Sequence, residues 1–388
     1  MALTSAFALS QAFRTVAAIL APPLAKDFTL SAQALGVFAA AFHFAFGALQ
    51  LVMGIGIDLH GVRRTVLAAF PLTVAGALVC AVAPRFEWLL VGQVLVGIGC
   101  APAFLACTVF IARAFAPERF AAVSGLTMGI GSVGLLLTGT PLAWLVEAVS
   151  WRAGFVALAA CSLLSWAFIF AVVREPMPPD GAVPGLSIAA ALRSYGGLFR
   201  LPHTAGIVAL ALFTYAAFLS LRGLWLGPLL VDRHGFTLVQ SGNVALAVSV
   251  IGMVGPPLFG RLDPGPARRR RWIAGCTLLV AALFALAAFD PGAWIDVAVA
   301  LAVGLLSGYI VLQYADVRSA YPAAMTGRAM ALYTMALFLG VAIMQALTGA
   351  IASAARSQPD PYFAVLLAIA ALLCVGAVLF RVLPQPPR

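Results

Sequence analysis

Two arginines lie inside long apolar runs where nothing nearby in the sequence offers a counter-charge. Arg14 is close to the middle of the first run, and Arg222 lies three or four residues past the middle of the seventh. No Asp or Glu occurs near the middle of any run. Two guanidiniums that face each other can form bidentate bonds with a carboxylate or a phosphate. These residues therefore predict an anion-binding site in which the bound anion is the missing counter-charge.

Other interpretations of the two arginines remain open at this stage. Either side chain could bind carbonyl groups at helix ends, or Tyr and Gln side chains, and so act as a gate or a brace. Arg222 could also extend outward toward Asp232.

Further polar side chains recur at helical spacing within the apolar runs. Tyr215 and Arg222 are seven residues apart, and Tyr309 and Gln313 are four apart, so each pair shares one helix face. Packing hydrogen bonds between helices explain such residues as readily as ligand contact does. The residues predicted to line the site beside the two arginines are Tyr215, Gln50, Asn243, Tyr309, Gln313, Tyr333 and Gln345.

One histidine, His43, lies within an apolar run, whereas the other three lie near run ends. Imidazole is the side chain that changes charge near neutral pH. His43 is therefore the candidate for binding a proton, and a histidine satisfied by packing is the alternative.

The composition places these residues in a membrane protein. Of the 388 residues, 63% are hydrophobic and only 9% are charged, whereas a soluble domain carries about 25% charged residues. Apolar runs of about 20 residues indicate helices, because barrel strands give short alternating segments. The first run lacks a basic leader segment and is expected to remain as a helix. Inside a bilayer an unpaired cation costs ~2.5–3.5 kcal/mol or more, so each buried arginine should face water, a partner or a ligand.

Twelve membrane-spanning helices are predicted, six on each side of one polar segment. The runs are 2–25, 33–57, 65–84, 88–112, 121–146, 152–173, 205–231, 239–261, 272–289, 294–316, 328–352 and 361–383. The segment 174–204 is rich in Pro and Gly and then alternates apolar faces with arginines, which predicts a linker with an amphipathic helix on the membrane surface. The predicted units are therefore a six-helix bundle over 1–173, the linker, and a second six-helix bundle over 205–388.

Basic residues predict the orientation of these helices. With both termini in the cytoplasm, 16 Lys and Arg residues lie on the cytoplasmic side and five on the outer side. This asymmetry follows the positive-inside rule and favours the bacterial inner membrane with cytoplasmic termini. Arg268–Arg271 then acts as a topology anchor, and the net charge of +10 does not indicate nucleic-acid binding.

The two halves of the chain repeat one another. Phe28-Thr29-Leu30 after the first run matches Phe236-Thr237-Leu238 after the seventh. Thr138-Gly139 in the fifth run matches Thr348-Gly349 in the eleventh. Such repeats predict two halves of common design with a site between them near the membrane midplane.

The segment between the second and third runs reads GIGIDLHGVRR. It resembles the Gly-x-x-x-Asp-Arg-x-Gly-Arg-Arg signature of the major facilitator superfamily. The positions that fit its spacing are Gly54, Asp58, Gly61 and Arg63, with Arg64 following. Leu59 and Val62 stand where that family usually carries basic residues.

Several expectations follow from this resemblance. The fold is an all-α membrane protein with twelve transmembrane helices in two pseudo-symmetric bundles, which rock about a central cavity during transport. Residues Gly54, Asp58, Gly61, Arg63 and Arg64, with Arg119 as a partner, would form a cytoplasmic gate. Arginines on the first and seventh helices are similar in position to those of organophosphate and phosphate exchangers in the family.

The expected activity is secondary transport of a small carboxylate or phosphate compound by proton symport or anion exchange. Efflux of a hydrophobic or drug-like compound by proton antiport is the alternative. Thr140 separates Gly139 from Pro141, so the Gly-Pro dipeptide of drug antiporters is absent, which weakens that alternative. The expected partners are the anion, a coupling proton and the lipid bilayer. No enzyme activity, catalytic group, cofactor, metal or nucleic-acid partner is expected, and the protein is expected to be a monomer.

Overall fold

A computed structural model describes residues 1–114, 117–174 and 196–386. Within these ranges it leaves out the side chains of 58–59, 112–113, 117–122, 124–125, 128, 323–324 and 326–327. The predicted amphipathic helix of the linker lies largely outside the described residues. Of the predicted gate, the side chains of Asp58 and Arg119 also lie outside them.

The described residues form helices and turns, and twelve of the helices are long and apolar enough to cross a membrane. They are α1 (Ala2–Phe28), α2 (Ala32–Ile57), α3 (Val62–Ala81), α4 (Phe86–Ile111), α5 (Gly129–Ala148), α6 (Trp151–Val172), α7 (His203–Arg233), α8 (Leu238–Arg261), α9 (Pro266–Ala288), α10 (Ala293–Ala320), α11 (Arg328–Ala354) and α12 (Pro361–Val382). The prediction of an all-α membrane fold with twelve spans is confirmed. We call α1–α6 the N-terminal half and α7–α12 the C-terminal half.

One difference in bounds concerns α9, which begins at Pro266 instead of the predicted 272. The four arginines of the basic run therefore belong to its first turns. Arg269 pairs with Asp263 at 2.6 Å, and Arg270 pairs with Asp316 at 2.9 Å. The hydrogen bond from Arg269 holds the pKa of the Asp263 carboxyl group below its ordinary value. These two ion pairs join the start of α9 to the preceding loop and to the end of α10, on the side of the membrane where the chain termini lie.

Gly61 and Gly265 make equivalent turns in the two halves. Gly61 precedes α3 with φ 83 and ψ 168, and Gly265 precedes α9 with φ 79 and ψ 167. Residues with a Cβ rarely adopt such φ values, so glycine is required at both positions. Thr29 and Thr237 differ, since Thr29 ends α1 in a left-handed conformation and Thr237 caps the start of α8.

The matched Thr-Gly pairs mark two equivalent contacts between the halves. A Cβ added at Gly349 in α11 would lie 2.9 Å from the Cα of Gly36 in α2. A Cβ added at Gly139 in α5 would lie 3.1 Å from the carbonyl oxygen of Gly242 in α8. Helix backbones meet directly at both places, which small residues permit. These contacts lie on the membrane side opposite the chain termini, which we call the far side, and they close it.

The threonines of these pairs also have equivalent partners. Thr138 lies 2.6 Å from the hydroxyl of Thr15 in α1. Thr348 accepts a 2.9 Å hydrogen bond from the indole of Trp225 in α7. In each half the threonine therefore joins the first helix to the fifth, α1 to α5 and α7 to α11. This shared contact explains why the Thr-Gly pair recurs.

A charged cluster holds the far end of the C-terminal half together. Arg233 in α7 binds Asp296 of α10 at 3.2 Å and also pairs with Asp360 at the start of α12. His234 binds the same Asp296 carboxylate at 2.8 Å. Charges at span ends predict only topology, and for that reason the sequence did not indicate this cluster.

We expect Gly36→Val to shift the protein toward a far-side-open conformation. A Cβ at Gly36 would lie 2.4 Å from the Gln345 carbonyl oxygen, so α2 and α11 could no longer approach this closely. Spin labels at Val149, after α5, and Trp294, at the start of α10, would report the distance across the far side by pulsed EPR. Gly129→Val is the control, because a Cβ there has nothing within 4 Å. Identical distance distributions for Gly36→Val and the control would contradict the expectation.

Candidate functional site

Arg14 lies in the middle of α1 and is buried with its polar partners on the same helix. Its guanidinium donates to the side-chain oxygen of Gln11 and, at 3.3 Å, to the hydroxyl of Ser10. These residues are three and four positions earlier, so their side chains lie one turn below Arg14 on the same face. Its Nε has no hydrogen-bond partner. Arg14 is therefore held in place with one donor left unsatisfied.

Two phenylalanines, one from each half, cover the Arg14 guanidinium. Its Cζ atom lies 4.7 Å from the ring centroid of Phe46 in α2 and 4.6 Å from that of Phe338 in α11. The two ring centroids are 4.5 Å apart. The Arg14 Cζ atom and the two ring centroids are therefore about equally far from one another. The guanidinium thus packs against both rings, and the two rings also contact each other. Cation–π attraction stabilises this arrangement, by about 2 kcal/mol per desolvated contact.

No carboxylate contacts Arg14 among the side chains that the structure describes. Tyr215 of α7 lies beside the guanidinium, and Tyr314 of α10 and Cys100 of α4 lie near it. The Tyr215 ring also meets Phe338 edge to face at 5.7 Å. The surroundings of Arg14 are therefore aromatic and neutral, drawn from both halves, and the positive charge has no ionic partner there.

His43 lies close to Arg14 and is fully enclosed. Its Nδ1 is 3.1 Å from the carbonyl oxygen of Ala39, so Nδ1 carries the proton and Nε2 is an acceptor. Nε2 has no partner. Its ring stacks on Phe338 at 6.5 Å between centroids, and Gln345 of α11 lies beside it. His43 is thus at the contact between α2 and α11.

Arg222 lies in a π-helical turn of α7, Leu221–Trp225, and is fully buried. Its Nε donates to the hydroxyl of Ser249 in α8 at 3.0 Å. Its Nη2 donates to the carbonyl oxygens of Leu135 at 3.0 Å and Thr138 at 3.5 Å. These carbonyl groups lie where α5 is interrupted between Leu137 and Thr140. Arg222 therefore binds carbonyl groups at a helix end, as one of the sequence interpretations had it. It bridges the two halves on the far side.

Arg14 and Arg222 have no hydrogen-bonding residue in common. Arg14 faces α2, α7, α10 and α11, whereas Arg222 faces α5 and α8. The helices that carry them nevertheless touch, since a Cβ at Gly223 would lie 3.0 Å from the Arg14 carbonyl oxygen. Asp232 is not a partner of Arg222, because its carboxylate accepts a 2.6 Å hydrogen bond from Tyr362.

The other predicted site residues fall into two groups. Gln50 and Asn243 each bind a residue of another helix. Gln50 of α2 donates to the Ala101 carbonyl of α4 at 3.2 Å, and Asn243 of α8 accepts from Thr140 of α5 at 2.6 Å. Tyr309, Gln313 and Tyr333 lie inside the C-terminal half, where the Gln313 side-chain oxygen accepts from Tyr333 at 2.7 Å and Tyr309 lies 2.9 Å from Thr277. None of these contacts reaches Arg14, so the substrate role of these five residues stays a prediction.

The predicted gate is described only in part. Arg63 donates a 2.9 Å hydrogen bond to the Phe170 carbonyl near the end of α6 and stacks on the ring of that residue at 5.4 Å. Arg64 is exposed beside it, and Gly54 packs against Leu105 of α4, which a Cβ would approach to 3.5 Å. These contacts join helices of the N-terminal half.

Sequence reasoning missed several residues of the site. Ser10 and Gln11 carried a usable signal, since polar groups three and four positions before a buried arginine share its helix face. Phe46 and Phe338 carried none, because phenylalanine in an apolar helix is ordinary.

The geometry agrees with a comparison against known families. The model of the Major Facilitator Superfamily matches residues 3–343. The chain belongs to this superfamily. Its twelve candidate spans are those of a multi-pass membrane protein.

Its curated relatives transport chemically different compounds. The hexuronate transporter of Bacillus subtilis is 25% identical over 248 residues, which are 62% of this chain and 58% of the relative. An MFS-type efflux pump of Mycolicibacterium smegmatis is 30% identical over 276 residues, 67% of this chain and 61% of the pump. A probable sulfoacetate transporter of Cupriavidus necator is 26% identical over 264 residues, which are 63% of this chain and 59% of that transporter. The chain thus spans about six tenths of the length of each relative.

Solved transporters share the fold over nearly the full chain. A bacterial homolog of the human lysosomal transporter Spinster superposes with a TM-score of 0.76 at 17% identity, covering 98% of this chain and 95% of that one. The D-xylose–proton symporter superposes with a TM-score of 0.76 at 14% identity, covering 99% and 97%.

We expect Arg222→Lys to lower the melting temperature. One ammonium group cannot bind Ser249 and the α5 carbonyls together, and each hydrogen bond to a charged group is worth about 1.5–3 kcal/mol. Differential scanning fluorimetry of the purified protein measures the change. Arg152→Lys is the control, because this arginine is 45% exposed in its pair with Asp27 and such pairs contribute little. Equal melting temperatures for the two variants would show that Arg222 is not a brace.

Proposed function

We propose that the protein is a secondary active transporter of a small organic anion, with Arg14 as the residue that binds the anionic group. The observation that carries the proposal is a buried guanidinium with an unsatisfied Nε and no carboxylate among its described neighbours. A cation at this depth is costly without a counter-charge. A bound carboxylate would supply that charge and satisfy the open donor edge in a bidentate bond.

The position of Arg14 suits alternating access. It lies below the closed far side, and its aromatic cover combines Phe46 of the N-terminal half with Phe338 of the C-terminal half. When the halves rock apart on the far side, α2 and α11 separate, and with them the two rings. Arg14 would then be uncovered toward that side. The predicted gate of Gly54, Asp58, Gly61, Arg63, Arg64 and Arg119 would close the cytoplasmic side in the same step.

Two of the curated relatives carry names of anion transporters, for hexuronate and for sulfoacetate. Both compounds are acids that are ionised at neutral pH, which supports an anionic substrate for this chain. The transport is by proton symport or anion exchange, with His43 as the candidate proton carrier. The protein acts in the bacterial inner membrane with both termini in the cytoplasm, as the positive-inside count favours.

Efflux of a hydrophobic or drug-like compound is the second candidate. The observations that favour it are the aromatic surroundings of Arg14 and the similarity to the efflux pump of M. smegmatis. An efflux substrate of this kind would not depend on the charge of Arg14.

We expect Arg14→Gln to reduce uptake of D-glucuronate and sulfoacetate into proteoliposomes by roughly tenfold to a hundredfold, the loss that one or two charge-assisted hydrogen bonds produce. Radiolabelled anions measure the uptake, and Arg152→Gln is the control variant with an exposed arginine. Arg222→Gln separates the roles of the two arginines, since a brace alters the rate for every substrate.

The same proteoliposomes test the efflux alternative with tetraphenylphosphonium, a lipophilic cation. Transport of this cation by the wild type and by Arg14→Gln alike, with no uptake of either anion, would replace the proposed function by efflux.

A further inference from the structure

Three side chains of types that bind metal ions meet at the far end of the C-terminal half. His234 directly follows α7, Asp290 lies in the loop between α9 and α10, and Asp296 lies in the first turn of α10. The His234 Nε2 atom is 2.8 Å from an oxygen of Asp296 and 4.0 Å from an oxygen of Asp290. One ligand atom from each residue lies within 4.8 Å of the other two. His234 and Asp296 are 62 residues apart, so no spacing in the sequence indicated this group.

These separations suit a single small cation. Zn²⁺ binds imidazole nitrogen and carboxylate oxygen at about 2.0–2.2 Å, so two ligand atoms of one ion lie roughly 3–4 Å apart. The side chain of Asp290 is 51% exposed, which gives it room to adjust around an ion. Imidazole together with carboxylate suits zinc, whereas Mg²⁺ is bound through oxygen ligands.

Asp296 has one carboxylate oxygen that the described residues leave unsatisfied. Its side chain is only 2% exposed, and its Oδ2 atom accepts from both Arg233 and His234. Its Oδ1 atom is buried and has no hydrogen-bond partner. A buried polar group in this state costs about 1–3 kcal/mol, and a charged group costs more. A cation bonded to Oδ1 removes this cost and leaves Oδ2 to Arg233.

The charges around this group also favour a cation. Arg233 pairs with Asp296 and Asp360, and Asp290 is a third carboxylate, next to His234. Within these pairs one guanidinium therefore stands against three carboxylates while the imidazole is neutral, which is its form as a metal ligand. A divalent cation balances the two negative charges that remain.

We propose that His234, Asp290 and Asp296 form a zinc-binding site at the far end of the C-terminal half. Zinc replaces the proton that His234 Nε2 shares with Asp296, the ring keeps a proton on Nδ1, and each aspartate supplies a carboxylate oxygen. The exposed side of Asp290 admits the ion, and water takes the fourth position. The ion joins the end of α7 to the start of α10. The site contains no residue of the proposed anion site and does not depend on that function.

Thermal unfolding in the presence of zinc tests the site. The purified protein, without a histidine tag and stripped of metal with EDTA, is titrated with ZnCl2 while differential scanning fluorimetry measures its melting temperature. We expect the melting temperature to rise with zinc as binding to one site predicts, because an ion that binds the folded protein stabilises it by mass action. MgCl2 at the same concentrations should produce no such rise, because the site includes an imidazole ligand.

Substitution of single ligands identifies the residues that hold the ion. Asp290→Asn and His234→Gln should each lower the zinc affinity at least roughly tenfold to a hundredfold, the loss that follows even when an outer partner of a metal ligand is removed. Asp290→Asn disturbs the fold least, since its side chain lies at the surface. The controls are His60→Gln, at an exposed histidine, and His203→Gln, at a buried one, and both should keep the full response to zinc.

Several results would overturn the proposal. One is a wild-type melting temperature that does not change with zinc, and another is unchanged zinc affinity in Asp290→Asn or His234→Gln. Loss of the response in His60→Gln would assign the zinc to the exposed surface instead. An equal response to MgCl2 would indicate general screening of acidic charge without an imidazole ligand. Asp290→Asn decides alone if His234→Gln fails to fold.

Discussion

The structure depends on the direct contact of helix backbones at the two far-side crossings, α2 with α11 and α5 with α8. Glycine at Gly36, Gly349, Gly139 and Gly242 makes the approach possible, and a Cβ at any of them would lie about 3 Å or less from a neighbouring atom. Everything between the halves is positioned by this closure. Phe338 covers Arg14, Gln345 meets His43, and Arg222 reaches the broken end of α5 only because these helices touch. Closely packed interfaces of this kind favour two discrete arrangements over gradual deformation.

The two buried arginines illustrate two ways to keep a cation inside a membrane protein. Arg222 uses its fork to bind a hydroxyl and two carbonyl oxygens, so its charge is solvated by dipoles of both halves. Arg14 has two polar side chains of its own helix and the faces of two aromatic rings. Both arrangements are shared between the halves, because the carbonyl oxygens that bind Arg222 belong to α5, and the rings that cover Arg14 belong to α2 and α11. The two arginines differ in that Arg222 binds polar groups of other helices, whereas the cover of Arg14 is aromatic.

Sequence patterns predicted those parts of the structure that depend on local periodicity. The twelve spans follow from hydropathy, and Gly61 lies in the segment that hydropathy places between the second and the third of them. The repeat of Thr138-Gly139 as Thr348-Gly349 was also visible. The physical reason for this repeat could not be predicted, because the glycines that it contacts, Gly242 and Gly36, lie in helices far away in the sequence. The register of helix packing is set by side-chain complementarity between distant segments, which a local pattern does not contain.

The same limit explains what could be predicted of the site. Arg14 was identifiable from its type and depth, since a lone cation in an apolar helix needs an explanation wherever it packs. His43 was identifiable as the one histidine inside an apolar run, but its neighbour Gln345 was only one of many polar residues in those runs. Gln345 lies beside His43 because α2 and α11 pack against each other. A contact between the two halves is therefore encoded in residues whose individual positions look ordinary, and only the packing of α2 against α11 brings them together.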